Sequence, residues 1–433
     1  MEQTVLSRYR TVENRYTALI QSIPNNQITI GSPVATKSPK RKPRILYVAN
    51  GNGLGDSLGG SLKRSIEVSR RLSAKGYEIA FLTTVGGYRT CLREKVDAKM
   101  SVVPCSILKR NETSNFDRFL GYLISSFVSL FRLSSMHKFD VVYSDSDFFC
   151  DIIPAIYAKV VLKSKWIAMS HHLVRPSHYR YPAMGILLYG TQLISLRTIG
   201  LVSDRTFVYD SPSGWNIEKY LTRNGTPSWK VDRVNNGVDT VAIDMIKPQK
   251  IPSGAVTIGA VRPGKGLYDL VPVWKIVTAL SPPQVLTVVG NIAPENRKYL
   301  ESAAHAEGLS QRIQIAGPKD HISAIRMVKE SRVFVSMSHE EGWGIAICEA
   351  LAAGVPVVAY DIPTIRHLFG TAAHLVPVGD YATFAHKIIE ILAKEQKPDS
   401  TLRSTVSRYS WDSVAEQDLQ HMIEALGEAS RSG

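Results

Sequence analysis

The chain reads as an α/β protein built from two doubly wound, parallel-sheet domains that face a central cleft. Three observations predict this. Apolar runs of strand length recur along the chain, helical stretches alternate with them, and a stretch at 246–254 holding Pro248, Pro252 and Gly254 divides the alternation in two. A length of 433 residues allows two or three domains, each large enough to bury its own core.

The first half opens on the buried-strand run Ile45-Leu46-Tyr47-Val48-Ala49. A glycine-rich loop follows from Gly51 to Gly60, then an amphipathic helix from about Ser61 to Lys75, closed by Gly76, and a second strand at Glu78–Thr83. This is a β-α-β unit, which builds parallel sheets. Further strands are expected at Val102–Pro104, Val141–Ser144, Trp166–Met169, Arg205–Tyr209 and Val231–Asn235. After the linker, strands are expected at Val256–Val261, Gln284–Val289, Ile313–Ile315, Val333–Met337 and Val357–Tyr360. Helices are expected there at Leu267–Leu280, Glu295–Glu307, Ile322–Lys329 and Ile345–Ala353, with a last one at about Trp411–Leu426. The expected division is a basic, flexible tail at 1–43 (with a helical pattern near Val5–Ile20), domains at 44–247 and 248–400, and a closing segment at 401–433. Two such sheets create a cleft at the C-terminal edges of their strands, where these folds bind ligands.

Net charge is +14, of which +5 lies in residues 1–43, where seven Lys/Arg face two acids. Such an excess suits phosphate-rich partners or an anionic membrane surface. Basic and aromatic residues do not interleave as in an RNA-binding module, and there is no Cys/His finger, so nucleic acid is not the expected partner. Cys91, Cys105, Cys150 and Cys348 lack metal-ligand spacing and read as reduced thiols of a cytoplasmic protein. The N-terminus lacks a signal-peptide pattern, and no run of 18 or more apolar residues predicts a membrane span.

The most informative segment runs from Ser338 to Ala350. Glu341 and Glu349 flank seven residues, Gly342 and Gly344 let backbone N–H groups come close to a ligand, and a helix starts at Ile345. A helix N-terminus favours an anion, and a carboxylate accepts the paired hydroxyls of a ribose or hexose. One short segment therefore offers a diol acceptor, a phosphate-friendly helix end and a second carboxylate.

The stretch from Val333 to Asp361 resembles the donor-site pattern of the retaining glycosyltransferases of family 4, a GT-B group (glycosyl transferases group 1): Glu-Gly-aromatic-Gly, apolar residues, Glu-Ala, then Gly-x-Pro-Val-Val. Asn236-Gly237-Val238-Asp239 matches the family's Asn-Gly-Val-Asp, and Gly259 to Gly266 matches its Gly-Arg…Lys-Gly element, although only Pro263 and Gly264 separate Arg262 from Lys265, fewer than the family places there. Tyr409-Ser410-Trp411 and the following helix resemble the segment that crosses back onto the first domain. The resemblance covers about residues 44–425. It implies two Rossmann-like domains and transfer of a sugar from a nucleotide-diphosphate sugar to a glycan or lipid-linked acceptor, with no further cofactor. Glu349 would accept the donor ribose hydroxyls and Glu341 hydroxyls of the transferred sugar. Backbone amides of Gly342, Trp343, Gly344 and Ile345 would face sugar and diphosphate. Arg262 and Lys265 would neutralise the leaving group. The loop at Gly59-Gly60-Ser61 would lie on the acceptor side, with Gly60 near the donor phosphate, and His172 would contact the donor sugar.

Asp145-Ser146-Asp147 looks like a metal-binding Asp-x-Asp, but it follows a first-domain strand and reads as loop capping, so no metal is expected. A dehydrogenase is disfavoured because Thr83-Thr84, not an acid, ends the second strand. The paired glutamates argue against an inverting enzyme, which needs a general base on the acceptor. A phosphorylase of the same fold, or a non-catalytic sugar- or nucleotide-binding protein, remains an alternative. Lastly, Phe116, Phe119, Leu120, Leu123, Ile124, Phe127, Leu130 and Phe131 line one face of a helix at 116–133, too short to span but able to lie in a membrane interface. The competing reading is that this helix, like the apolar stretch Met184–Leu196, simply packs its apolar side on the first sheet.

Overall fold

The computed structural model describes residues 41–51, 59–103, 115–174, 182–394 and 400–428. Most of the N-terminal tail, with its helical pattern, and the glycine loop at 52–58 lie outside these residues.

The first sheet holds seven parallel strands: β1 (Ile45–Ala49), β2 (Ile79–Thr84), β3 (Lys99–Val103), β4 (Val141–Ser144), β5 (Lys165–Ser170), β6 (Arg205–Tyr209) and β7 (Val231–Val234), in the order β3-β2-β1-β4-β5-β6-β7. Its helices are α1 (Gly60–Ala74), α2 (Val85–Arg93), α3 (Asn115–Ser134), α4 (Phe149–Val160), α5 (Pro182–Val202), α6 (Pro212–Arg223) and α7 (Thr240–Met245). The second sheet holds six: β8 (Ala255–Ile258), β9 (Leu286–Val289), β10 (Ile313–Gly317), β11 (Val333–Ser336), β12 (Val357–Tyr360) and β13 (His374–Val376), in the order β10-β9-β8-β11-β12-β13. It carries α8 (Leu270–Leu280), α9 (Pro294–Ala306), α10 (His321–Lys329), α11 (Ile345–Ala352), α12 (Pro363–Phe369), α13 (Tyr381–Ala393) and α14 (Ser400–Val406), and the chain ends on α15 (Trp411–Glu428). Strand order reverses between β1 and β4 and again between β8 and β11. The loops leaving these strands line the crevice where doubly wound sheets bind ligands.

Central strands sit between helix layers and are buried on both faces, which is why β1, β4, β11 and β12 read as unbroken apolar runs. The edge strand β3 departs from expectation: it spans Lys99–Val103 rather than 102–104, because only its last residue is buried and its exposed start carries no apolar signal. The strand expected at 256–261 stops at Ile258, where Gly259 takes a positive φ of 154°. The helix expected from Leu267 starts at Leu270, after a short 3-10 turn at Pro263–Lys265.

Helix α15 belongs in space to the first domain. Arg64 of α1 and Asp418 of α15, each 1% exposed, form a two-armed ion pair with both N–O distances at 2.7 Å, and Arg64 also donates to the Tyr143 hydroxyl at 3.1 Å. The chain thus passes between the domains twice, and the two crossings touch. The Val238 amide donates to the Tyr409 carbonyl at 2.6 Å, and a Cβ on Gly237 would lie 2.7 Å from the Trp411 nitrogen. Asp239 caps α7 by accepting from the Ala242 amide and pairs with Arg71 of α1. The Asn-Gly-Val-Asp motif is therefore a joint.

Helix α3 turns two of its aromatic rings outward, while Leu123, Ile124 and Leu130 are half-buried. Its small polar side is turned inward: Gly121, Ser125, Ser126 and Ser129 are buried, and Asn50 donates to the Ser129 hydroxyl at 3.0 Å. Phe127 and Phe131 are 61% and 78% exposed. Packing through the apolar side is thereby ruled out for these two rings; the side chains of Phe116, Phe119 and Leu120 lie outside the described residues. The expectation of no membrane-spanning helix meets one segment that passes by length and composition alone. Gly185–Val202 of α5 has a mean hydropathy of 1.3 and is long enough to cross a membrane by length and composition. Its Gln192, Ser195, Leu196 and Ile199 are nonetheless buried in the first domain.

Candidate donor site in the cleft

The site is assembled from loops that leave β8, β11, β5 and β6, together with the first turns of α1 and α11. The β8 loop places Arg262 and Lys265 on a 3-10 turn that ends at Gly266, whose φ of +81° suits glycine. A Cβ at Gly266 would lie 2.3 Å from the Met337 carbonyl, so this loop lies directly on the end of β11. Two further ties hold the loops in register. The His339 amide donates to the Gly264 carbonyl at 3.1 Å, and buried Asp269 accepts from His339 Nε2 at 2.8 Å and from the Tyr360 hydroxyl at 2.9 Å.

Fixed in this way, the cations and acids of the two loops pair. Arg262 Nη1 lies 2.7 Å from Glu340 Oε1, and Lys265 Nζ lies 2.7 Å from Glu341 Oε1 and 3.1 Å from the Glu340 carbonyl. His172, from the end of β5, stands in the field of all four groups. Burial, which outweighs the partly cancelling charges of Glu340, Lys265, Arg262 and Glu341, pushes its pKa below the ordinary imidazole value. It is thus a neutral imidazole beside a charged cluster. Its neighbour His171 has a different place: Nε2 lies 2.6 Å from the Asp145 carbonyl and Nδ1 lies 2.9 Å from the Tyr209 hydroxyl. A carbonyl only accepts, so Nε2 carries the proton and Nδ1 accepts from Tyr209. Burial lowers the His171 pKa to about 3, which keeps that tautomer neutral.

The loop after β11 closes against the first domain at Gly342. Its carbonyl accepts from the Ser211 hydroxyl at 2.8 Å, and an added Cβ would lie 2.9 Å from the His171 carbonyl. Gly344 follows with φ 103° and ψ 48° and starts α11 without a side-chain cap. The Trp343 side chain between them is 2% exposed; it donates to Asn235 at 3.2 Å and packs edge-on against Tyr409 at 4.9 Å, so it ties this loop to the joint. Opposite α11 stands α1, also begun without a side-chain cap; a Cβ on Gly60 would lie 3.5 Å from Ile345 Cδ1. Two uncapped helix N-termini thus approach across the cleft, each presenting backbone N–H groups.

Glu349, one turn into α11, is 9% exposed and accepts from His321 Nε2 at 2.8 Å and from Lys63 of α1. Burial alone would raise its pKa, but Lys63 and His321 together hold it down at about 2.

The structure brings Glu341, Arg262, Lys265 and His172 together, and sets Glu349 beside Gly60, Ile345 and the α1 turn. Lys63, His321, Glu340 and Asp269 were not foreseen. Asp145 and Asp147 are inside the first domain: Asp145 accepts from Ser65, and Asp147 accepts from Gln192 at 2.9 Å while burial pushes its carboxyl up to about 6. Among the described residues no cluster of three or more His, Cys, Asp or Glu is arranged to hold a metal ion.

Two facing parallel sheets with a returning last helix make this a GT-B fold. Solved structures of similar fold include HepE of Anabaena in complex with UDP and glucose (TM-score 0.68, 16% identity, 88% of this chain and 100% of that one). Another is sucrose-phosphate synthase from Thermosynechococcus elongatus (TM-score 0.68, 18% identity, 89% and 99%). Residues 248–405, which hold Arg262, Lys265, Glu341 and Glu349, match the family described as Glycosyl transferases group 1. Among curated relatives, the chain is 31% identical over 123 residues to a phosphatidyl-myo-inositol mannosyltransferase of Mycobacterium leprae (27% of this chain, 33% of the relative). It is 27% identical over 169 residues to a GDP-mannose:cellobiosyl-diphosphopolyprenol alpha-mannosyltransferase of Xanthomonas oryzae pv. oryzae (38% and 44%). The matched regions span less than half the length of these relatives.

Proposed function

We propose that this protein is a retaining, metal-independent glycosyltransferase that moves a sugar from a nucleotide-diphosphate sugar to a hydroxyl of a glycan or lipid-linked acceptor at the cytoplasmic face of a membrane. One observation carries the reading: Arg262 and Lys265 pair with Glu340 and Glu341 just before the N-terminus of α11, which has no side-chain cap, and Glu349 is buried one turn into that same helix. The match of 248–405 to Glycosyl transferases group 1 supports it. In this reading Glu349 accepts the ribose hydroxyls and Glu341 a hydroxyl of the transferred sugar. As the bond from the anomeric carbon to the phosphate oxygen breaks, charge grows on the diphosphate, where Arg262, Lys265 and the helix end stabilise it. The acceptor oxygen attacks the same face of the sugar, and its proton passes to the departing phosphate.

A thermal-shift screen of nucleoside diphosphates and their sugars tests the reading: at least one should raise the melting temperature, because it binds only the folded chain. Glu341→Ala should then lower turnover about ten- to a hundredfold, the size of one charged hydrogen bond, with little change in nucleoside diphosphate affinity. Wild-type turnover in that variant sinks the assignment. Because Arg262 and Lys265 supply the positive charge, transfer should persist in EDTA; loss in EDTA with recovery on adding magnesium or manganese would reverse the view of Asp145 and Asp147.

The lipid-linked part rests on the first domain. Phe127 and Phe131 of α3 and Ile186, Leu187 and Ile194 of α5 are exposed. The names of the two relatives above include a phosphatidyl-inositol and a diphosphopolyprenol acceptor. The protein should float with anionic liposomes and be released as salt rises to a few tenths molar, where screening lengths fall to about 3–8 Å. Phe127→Ser with Phe131→Ser should reduce flotation at unchanged stability, since both rings are outside the core. Wild-type protein that stays at the bottom of a low-salt gradient leaves only soluble glycans as acceptors.

A further inference from the structure

Arg262, Lys265 and Lys63 are each held by an acid, and the pair made by Lys63 crosses between the domains. Lys63, the fourth residue of α1, is 7% exposed and its ammonium sits on Oε1 of Glu349 in α11. His321 bonds the same oxygen from within the second domain. A carboxylate oxygen has two lone pairs, so Oε1 is filled. A ribose whose two hydroxyls are accepted by Glu349, as proposed above, competes with Lys63 wherever it uses Oε1. An ammonium displaced from a buried carboxylate needs another anion nearby, because an unpaired buried charge is costly. The flexible four-carbon stem of lysine lets that charge relocate without moving the helix. The facing N-termini of α1 and α11, close enough that Gly60 borders Ile345, mark where such an anion is welcome.

We propose that Lys63 is a donor-binding residue of this site: it covers Glu349 while the cleft is empty and transfers to the diphosphate of the incoming nucleotide sugar, so that entry of the donor exchanges one anion for another across the two domains. The inference rests on the donor-site reading given above. It makes the phosphates, more than the nucleoside, responsible for opening the Glu349 position. Arg262 and Lys265, paired with Glu340 and Glu341, make the same kind of exchange from the second domain, but Lys63 is the cation described here that the first domain contributes.

The test compares uncharged nucleosides with their diphosphates: uridine with UDP and guanosine with GDP, by titration calorimetry, on wild type, Lys63→Met and Lys63→Gln. In both variants the ratio of nucleoside Kd to diphosphate Kd should fall at least about tenfold, as expected for one lost charged hydrogen bond. Nucleoside binding itself should stay equal or tighten, because Glu349 no longer has to release Lys63. A ratio that stays at its wild-type value overturns the proposal. Nucleoside and diphosphate weakened by the same factor also overturns it, since Lys63 would then only hold Glu349 in position. Lys63→Gln keeps a hydrogen-bond donor over Glu349 and answers the question if Lys63→Met does not fold. Wild-type protein that binds none of UDP, GDP, ADP, CDP and dTDP overturns the donor site itself; wild-type binding with an unchanged ratio overturns Lys63 alone.

Discussion

Asp418→Ala is expected to cost about 3–5 kcal/mol of folding stability, the usual size for breaking a buried ion pair from one side. The reason is the surroundings of Arg64. Its guanidinium is 1% exposed, both arms point at Asp418, and its remaining contact is the Tyr143 hydroxyl. Removing the carboxylate leaves a full charge buried among the rings of Tyr47, Tyr143 and Tyr209. The other ion pairs between α15 and α1, Arg71 to Asp412 and Lys75 to Glu416, involve exposed acids and contribute little, so the helix would then be held mainly by its buried apolar side. Urea denaturation measures the effect. Pairing Asp418→Leu with Arg64→Met should recover most of it, because an apolar pair of similar volume needs no counter-charge. A single-variant loss below about 1 kcal/mol, the scale of a surface pair, would mean that Arg64 finds water or another acid.

The second large effect is expected at Glu349. Glu349→Ala should weaken nucleoside diphosphate binding about ten- to a hundredfold, through loss of charged hydrogen bonds to the ribose. It should also destabilise the fold by about 3–5 kcal/mol, because Lys63 loses its counter-charge inside the cleft. Glu349→Gln separates the two, since it keeps the shape and one acceptor. The pH dependence follows from the carboxyl being held at about 2 against an ordinary 4.5. A folded-state pKa below the unfolded value gives stability that is complete above the unfolded value and is lost as pH falls through the folded one. The stability gap between wild type and Glu349→Gln should therefore be full above about pH 5 and shrink towards pH 2. A gap that is constant over that range, or nucleotide binding untouched in both variants, contradicts the role given to this residue.

Much of the framework was legible because central parallel strands announce themselves. Ile45–Ala49 and Val333–Ser336 are buried on both faces, so their apolar runs have no competing explanation. His374–Val376 was missed because three residues at a sheet edge make no pattern. The site was legible in part for a similar reason: Glu341, Gly342, Gly344 and Glu349 lie within one short segment, where local geometry and sequence coincide. Lys63 could not be found in this way. It lies 286 residues from Glu349, on a helix whose charge pattern reads as an ordinary solvated face. Glu340 carries no signal in the sequence for its pairing with Arg262, which the β8 loop brings to it from 78 residues away. Helix α3 shows a different limit. The spacing of Phe127 and Phe131 gave the period correctly, but periodicity fixes only which residues share a face and leaves open whether that face looks inward. The buried serines decided it, through bonds such as that from Asn50 to Ser129.

The returning helix also sets an order of events during synthesis. Arg64 and the carboxylate that neutralises it are 354 residues apart. At about 5–20 residues per second, a ribosome needs roughly 20–70 seconds to travel that distance. From Val234 onward the first seven strands are complete in sequence, yet until Asp418 is made the positive charge destined for their helix layer has no mate and the surface meant for α15 is bare. The second domain, by contrast, has all six of its strands available before α15 is made. The half of the molecule that begins first is thus completed last, and a nascent chain stalled before Asp418 should be a far better chaperone client and protease substrate than one stalled just after α15 has cleared the exit tunnel.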